Sequence, residues 1–152
     1  MGQKNYSELF ELLERTLHEF ILEVNKQKLH NMATNEWSVK DELCHIVFWH
    51  RYYPQNYSAL AKGEEPVVFT SSGGSTRNQD GVNSLRAKFK DELLTMLLDA
   101  QKELYMYIVD KKVAEMNYTN RKRYKTEEFT DQITRHILGH TKLVKKAKEL
   151  EK

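Results

Sequence analysis

The sequence is poor in residues that cross-link a chain or interrupt its helices. It contains one cysteine, two prolines and six glycines among 152 residues. A single thiol, Cys44, cannot form a disulfide within the chain, so we expect stability to come from packing in a reducing compartment. Because proline and glycine are the strongest helix breakers, their scarcity favours long helices.

Long apolar runs and an excess of charge of one sign are also missing. No stretch approaches the ~20 apolar residues that span a bilayer, and the opening MGQKNYSELF lacks the apolar segment of a secretory signal. The net charge of +2, from 24 basic and 22 acidic residues, predicts no field for nucleic acid. We therefore expect a cytoplasmic protein that binds neither membranes nor nucleic acids.

The remaining composition is that of an ordinary globular protein. Hydrophobic residues make up 39% of the chain and charged residues 30%, which is typical of a folded domain rather than a disordered chain. A chain of this length buries most of its apolar surface around one core. We therefore expect residues 1–152 to form a single domain.

Four segments carry apolar residues at the three-and-four spacing of an amphipathic helix. The first covers about 7–29 and the third about 82–110. The second begins after Ser38, where Ser38 and Asp41 match a capping box. The fourth follows Thr126, which can cap it, and runs towards the lysine-rich end of the chain.

The segment from Gly63 to Gly81 has no helical period and carries several glycines and serines. A connection of this length is uncommon in a compact domain unless it spans a bundle or covers a site. The sequence therefore predicts an all-α protein, a four-helix bundle with a long crossover connection between helices 2 and 3.

Two histidines lie in the centre of the fourth apolar stripe. His136 and His140 are four residues apart, so both imidazoles project from one helix face and can reach one ion. Imidazole suits zinc, nickel, copper or iron(II). Catalytic zinc sites commonly have three protein ligands, so a third ligand is expected from another helix.

The second helix offers two candidates for that third ligand, His45 and His50. Periodicity favours His50, which lies within the apolar stripe, whereas His45 lies towards the flank that carries Trp49. A helix that is buried on most sides can direct either one inward, so both remain open at this point. A core histidine is also often a hydrogen-bonded structural residue. His18 and His30 are interpreted as surface residues.

Three runs of the sequence resemble the DinB-like superfamily, in the branch of ClbS/DfsB-type four-helix bundle proteins. They are WSVKDELCHIVFWH in the second helix, KGEEP at its end and ITRHILGH in the fourth, and the likeness covers nearly the whole chain. The resemblance implies a divalent ion held by one histidine of the second helix and two of the fourth, which are His45, His136 and His140 here. It also implies metal-dependent thiol or water chemistry, and members of the ClbS type protect their hosts from reactive natural products.

The residues and the resemblance together predict a divalent-metal protein that uses zinc, nickel or iron. Its expected function is that of a hydrolase or thiol transferase acting on a small reactive compound, in detoxification or self-protection, with a small-molecule substrate or a thiol as its partner. Trp49, His50 and Tyr53 are expected to shape the substrate pocket. No catalytic residue is assigned, since Glu42 is the only nearby acid on the second helix.

Two further hypotheses concern the same chain. One is a non-catalytic bundle that binds a small molecule or serves in a stress response, with structural histidines. The other is a homodimer formed through an exposed helix face, for which Phe10 and Met106, off the main apolar stripes, are candidate contact residues.

Overall fold

The computed structural model describes residues 6–64, 74–117 and 123–149. The elements of this part of the chain are α1 (Tyr6–Lys26), α2 (Val39–Ala61), α3 (Gly74–Leu85), α4 (Lys90–Tyr105), a π-helical segment (Met106–Asp110), strands β1 (Glu115–Asn117) and β2 (Arg123–Lys125), and α5 (Thr126–Lys145). The two short strands form an antiparallel ribbon in which Met116 pairs with Tyr124. The predicted all-α class is confirmed.

The long helices share one apolar core. α1 packs chiefly against α5, and α2 packs against α3 and α4. Burial of each leucine or phenylalanine side chain contributes about 1.5–3 kcal/mol to folding. The largest fully buried side chains come from every long helix and include Leu13, Phe20, Leu43, Leu97, Leu104 and Phe129.

The α2 helix is the most enclosed element. Fifteen of its 23 residues are buried, including two acidic side chains, Asp41 and Glu42, and two histidines, His45 and His50. A helix with so little solvent-facing surface has no single apolar stripe, so periodicity cannot say which of its polar residues meet a partner. This property of α2 decides the outcome for the two histidine candidates below.

The predicted third helix is wrong in its bounds. Instead of one helix over 82–110, α3 ends at Leu85 and α4 begins at Lys90, after Phe89 as its N-cap residue. The connection predicted over 63–81 is also partly helical, because α3 already begins at Gly74. The composition of this segment favours no helix, and tertiary packing supplies the stability that propensity lacks.

Packing against α2 explains why α3 forms. The buried side chains of Val82 and Leu85 anchor it. At Gly81 the backbone passes so close to the Phe48 ring that an added Cβ would lie 2.5 Å from its Cγ. A glycine is therefore needed where the two helices touch.

The loop between α1 and α2 is tied to the end of α5. Met32 forms a β-bridge with Lys148, with N–O distances of 2.8 and 3.1 Å in the two directions, and a second bridge with Ser38. The loop thereby holds the first turns of α2 beside the last turns of α5. Glu42 and His45 lie on the first of these elements and His140 on the second.

Surface features correct one expectation and leave another open. Phe10 is not an exposed contact residue, since it is 1% exposed and packs edge-on against Tyr105. Although it lies off the main apolar stripe of α1, its side chain faces the core. The homodimer stays a prediction. His18 and His30 are exposed, as expected. Among the described helices, none is both long and apolar enough to cross a membrane.

Candidate metal centre

The N-terminal end of α2 is fixed by the predicted capping box. The Ser38 hydroxyl accepts a hydrogen bond from the Asp41 amide, and the Asp41 carboxylate accepts one from the Ser38 amide, both at 3.1 Å. Caps of this kind satisfy amides that the first helical turn leaves free. With the start of α2 fixed, Glu42 and His45, three residues apart, project from the same face.

The α5 helix brings its two histidines to that face. Its buried threonines satisfy their hydroxyls within the helix: Thr134 donates to the carbonyl of Thr130 at 2.9 Å and Thr141 to that of Ile137 at 2.8 Å. Because these hydroxyls donate to carbonyls of α5 itself, they need no hydrogen-bond partner on α2. The polar atoms that α5 offers to α2 at this point are therefore those of His136 and His140.

Three imidazoles converge between α2 and α5. Nε2 of His136 lies 3.0 Å from Nε2 of His45 and 3.1 Å from Nε2 of His140. One ring nitrogen from each histidine falls within 4.8 Å of the other two, a separation that allows all three to bind one ion. The structure thus brings together the three residues that the resemblance implied.

His50 lies outside this group. Its Nε2 is 2.6 Å from Oε1 of Gln101 on α4, and the residue is 1% exposed. The periodicity argument that favoured His50 as a ligand was wrong, because both histidines of the enclosed α2 helix are buried and only His45 faces α5.

Glu42 is the site residue that the sequence did not identify. Its side chain is fully buried, and its Oε2 lies 2.5 Å from Nδ1 of His140. A histidine that binds metal usually donates its second ring N–H to a carboxylate or carbonyl, which orients the ring and fixes its tautomer. The spacing of Glu42 and His45 on one face was the available signal, but the sequence could not show that Glu42 contacts α5.

A bound cation can satisfy all three ring nitrogens of the cluster, which hydrogen bonds among the rings cannot do. A ring nitrogen carries either one proton or one lone pair, so it makes one good hydrogen bond. Nε2 of His136 nevertheless has two other ring nitrogens at hydrogen-bond distance. Nδ1 of His140 faces Glu42, so its Nε2 is the nitrogen that faces the other two rings. An ion that accepts a lone pair from each neutral ring would satisfy all three nitrogens at once.

The spacing of the nitrogens fits the same conclusion. Two nitrogens bound at about 2.0–2.1 Å to one tetrahedral ion lie about 3.3 Å apart. The Nε2 separations of 3.0 and 3.1 Å are close to this value. The donor set therefore fits a divalent cation such as zinc.

Burial keeps two of the rings neutral. Desolvation, followed by the nearby His140 and His136, lowers the pKa of His45 to about 2. Desolvation also lowers the pKa of His136 to about 4, with His140 and His50 adding to the effect. A neutral imidazole is the form that binds metal, so both rings are available as ligands at neutral pH.

Two buried atoms of the centre have no hydrogen-bond partner among the described residues, Oε1 of Glu42 and Nδ1 of His45. Buried polar atoms are nearly always paired, and exceptions often lie at functional sites. These two buried atoms without partners indicate that hydrogen bonding within the described part of the chain does not satisfy all the polar groups of this centre.

The centre is covered on one side and open on the other. Trp37 packs against the His45 ring with a centroid separation of 4.9 Å, and its indole N–H donates to Gln79 of α3 at 3.1 Å. His136 and His140 are only partly buried, and the side chain of His140 is 18% exposed. Solvent therefore reaches the cluster at the α5 side.

The residues predicted to shape the pocket are buried in α2. Trp49 donates its indole N–H to Asn78 of α3 at 2.7 Å, and the Tyr53 ring packs edge-on against Phe129 at 5.0 Å. Two clefts of about 500 and 440 Å³ have other lining residues. The role of Trp49, His50 and Tyr53 as pocket walls stays a prediction.

No protein-family model, curated protein or solved structure matches the chain. The geometry of the cluster is therefore the basis on which a function can be proposed.

Proposed function

We propose that the chain is a DinB-like four-helix bundle of the ClbS/DfsB type that binds a divalent metal and acts on a small reactive compound by thiol transfer or hydrolysis. In this proposal α1, α2, α4 and α5 are the four bundle helices, and α3 belongs to the crossover connection. The pairing of α1 with α5 and of α2 with α4 supports it.

One observation carries the metal-binding part of the proposal. Three Nε2 atoms from two helices converge at 3.0–3.1 Å contacts, and Nε2 of His136 cannot make a good hydrogen bond to both of its neighbours. His45, His136 and His140 are the proposed ligands. An ion held by three imidazoles keeps a coordination position for another molecule, as in catalytic zinc sites, and zinc, nickel and iron(II) all suit such ligands.

The bound ion would supply Lewis acidity, which lowers the pKa of a thiol or water that coordinates it. Around it, Glu42 holds the His140 ring by its Nδ1 proton, and Trp37 packs against the His45 ring. These contacts fix the ligand orientations before an ion arrives, which favours binding. The open side at His136 and His140 is where a substrate would approach.

Cys44 is not the reacting thiol. It is fully buried, and desolvation is the main reason that its pKa rises to about 11. A buried thiol with a raised pKa is a poor nucleophile. The proposed thiol is therefore a separate small molecule.

In the proposed transfer, the thiolate sulfur bonds to an electrophilic carbon of the acceptor. The leaving group departs with the bonding electron pair, and the thiol proton passes to water. This reaction needs no general base from the protein. The Glu42 carboxylate, which contacts the proposed ligand His140, is therefore not required to take a proton from the substrate. In hydrolysis, water would take the place of the thiol.

The metal content of protein produced without a histidine tag tests the first part of the proposal. We expect about one equivalent of metal per chain, as in three-histidine sites, and its loss in a His136→Ala, His140→Ala double variant. A His18→Ala, His30→Ala double variant is the matched control, because it removes two exposed imidazoles. A metal-free wild type that gains no thermal stability from added zinc, nickel or iron(II) would refute the metal site.

Reaction assays test the second part. The zinc-loaded protein is incubated with glutathione or cysteine and the alkylating dye monochlorobimane, and separately with an activated ester. We expect a thioether or a hydrolysis product that disappears when the metal is chelated or when both α5 histidines are replaced. Saturable binding of these compounds without product would favour the non-catalytic binding module.

A further inference from the structure

A second polar group is buried away from the metal centre, between α1 and α4. A cleft of about 440 Å³ runs between these helices, and its lining includes the apolar side chains of Leu17, Ile21 and Leu98. Arg15 and His18, both exposed, stand at its edge. Its volume lies within the range of about 300–1,000 Å³ that is usual for small-molecule sites.

The polar group of this cleft is the amide of Gln101. The residue lines the cleft but is only 5% exposed. Its Oε1 lies 2.6 Å from Nε2 of His50, whereas its Nε2 has no hydrogen-bond partner among the described residues. A buried donor left without a partner is costly and uncommon in a folded protein.

The contact with His50 is made by the carbonyl end of the amide. Desolvation is the main cause that lowers its pKa to about 4, so the ring is neutral at physiological pH. At a separation of 2.6 Å the two atoms must be donor and acceptor, which makes His50 Nε2–H the donor to the Gln101 carbonyl. The carbonyl end is therefore held towards α2, and the NH₂ end, beside the cleft, is left without a partner among the described residues. Nε2 is itself enclosed, so a molecule in the cleft reaches it after a small shift of the side chains that line the cleft.

We propose that the cleft between α1 and α4 binds a small apolar molecule with a carbonyl group, whose oxygen accepts a hydrogen bond from Nε2 of Gln101. Leu17, Ile21 and Leu98 would contact its apolar body. A neutral carbonyl fits better than a carboxylate, because burial of an ionised group beside an uncharged amide is unfavourable.

This site is separate from the proposed metal centre. The metal ligands lie on α2 and α5, whereas the cleft residues lie on α1 and α4. Binding in the cleft is therefore expected without added metal and in the His136→Ala, His140→Ala variant. A failure of one proposal leaves the other standing.

The test uses two fluorescent probes that differ by one group. They are the ketone prodan and its parent dimethylaminonaphthalene, which lacks the carbonyl. Gln101→Leu removes the amide at similar volume, and Gln132→Leu makes the same change at an exposed position on α5. Leu98→Trp, at a position that is 48% exposed, fills the cleft with little disturbance of the core.

We expect wild type and Gln132→Leu to bind prodan equally, and Gln101→Leu to bind it roughly five- to tenfold more weakly, as for the loss of one hydrogen bond. Dimethylaminonaphthalene should bind both glutamine variants alike, and Leu98→Trp should bind neither probe. In wild type, prodan should also shift the NMR signal of the Gln101 side-chain NH₂. Absence of prodan binding, or equal prodan affinity in Gln101→Leu and wild type, would overturn the proposal.

Discussion

Replacement of Glu42 is expected to weaken metal binding without removing a ligand. In the wild type its buried carboxylate accepts the Nδ1 proton of His140 at 2.5 Å, and the glutamate side chain is fully enclosed. Loss of such an outer contact typically lowers metal affinity by about 10- to 100-fold. We therefore expect an effect on zinc affinity even though Glu42 does not face the ion.

The size of the effect should depend on what replaces the carboxylate. Glu42→Gln keeps an oxygen that can accept the Nδ1 proton but loses the charge, so we expect about a tenfold loss, or about 1.4 kcal/mol. Glu42→Leu removes the acceptor and leaves the Nδ1–H buried without a partner. We expect that variant to approach a 100-fold loss, or about 2.7 kcal/mol.

The assay is competition for zinc between the protein and a chromophoric chelator at neutral pH. Glu128→Gln, which neutralises an exposed glutamate near the start of α5, is the control for a change in net charge. The stability of the metal-free protein is measured in parallel. Glu42→Gln keeps a hydrogen-bond acceptor for His140 at similar volume, so we expect the stability of the metal-free protein to change little.

Zinc affinities of Glu42→Gln and Glu42→Leu that both equal the wild-type value would refute this reasoning. So would an equal loss in Glu128→Gln, since that result would assign the effect to net charge. A fall in affinity that only follows a fall in the stability of the metal-free protein would show that Glu42 is structural and does not orient His140.

Three further predictions concern packing, pH and thiol chemistry. Gly81→Ala should destabilise the protein by about 1–3 kcal/mol in chemical denaturation, because its Cβ would lie 2.5 Å from the Phe48 ring. The same substitution should cost much less in a Phe48→Ala background. Gly139→Ala, which meets nothing within 4 Å, should stabilise the protein by up to about 1 kcal/mol. The pKa of His50 falls from 6.5 to about 4 on folding, so the neutral ring costs no stability above pH 6.5. As the pH falls from 6.5 towards 4, the free energy of unfolding decreases, by about 2 kcal/mol at about pH 5. Denaturation at a series of pH values should show a weaker pH dependence of this free energy in His50→Asn than in wild type. Cys44 should react with a chromogenic disulfide reagent only after unfolding, and rapid reaction of the native protein would contradict its burial.

Patterns within single helices were predictable because they depend on neighbours along the chain. The capping box at Ser38 and Asp41 follows from contacts over three residues, and the shared face of His136 and His140 follows from their spacing of four. Both required only the geometry of one helix. The all-α class followed in the same way from apolar periodicity and scarce breakers.

Contacts between helices were not predictable in this way. The α3 helix depends on the close approach of Gly81 to Phe48, which lie 33 positions apart in the sequence. Its own composition gave no helical period. Phe10 is buried although it lies off the main apolar stripe of α1, because the position of a neighbouring helix decides how wide the buried face is.

The sequence by itself determined the helical class, the start of α2 and the pair of histidines on α5. Only the tertiary structure decided between His45 and His50 on geometric grounds, and only it placed Glu42 against His140. The physical reason is the burial of α2 on most sides. When nearly every face of a helix meets another element, the partner of each polar side chain depends on how the helices are arranged in space. The periodicity of one helix does not predict that arrangement.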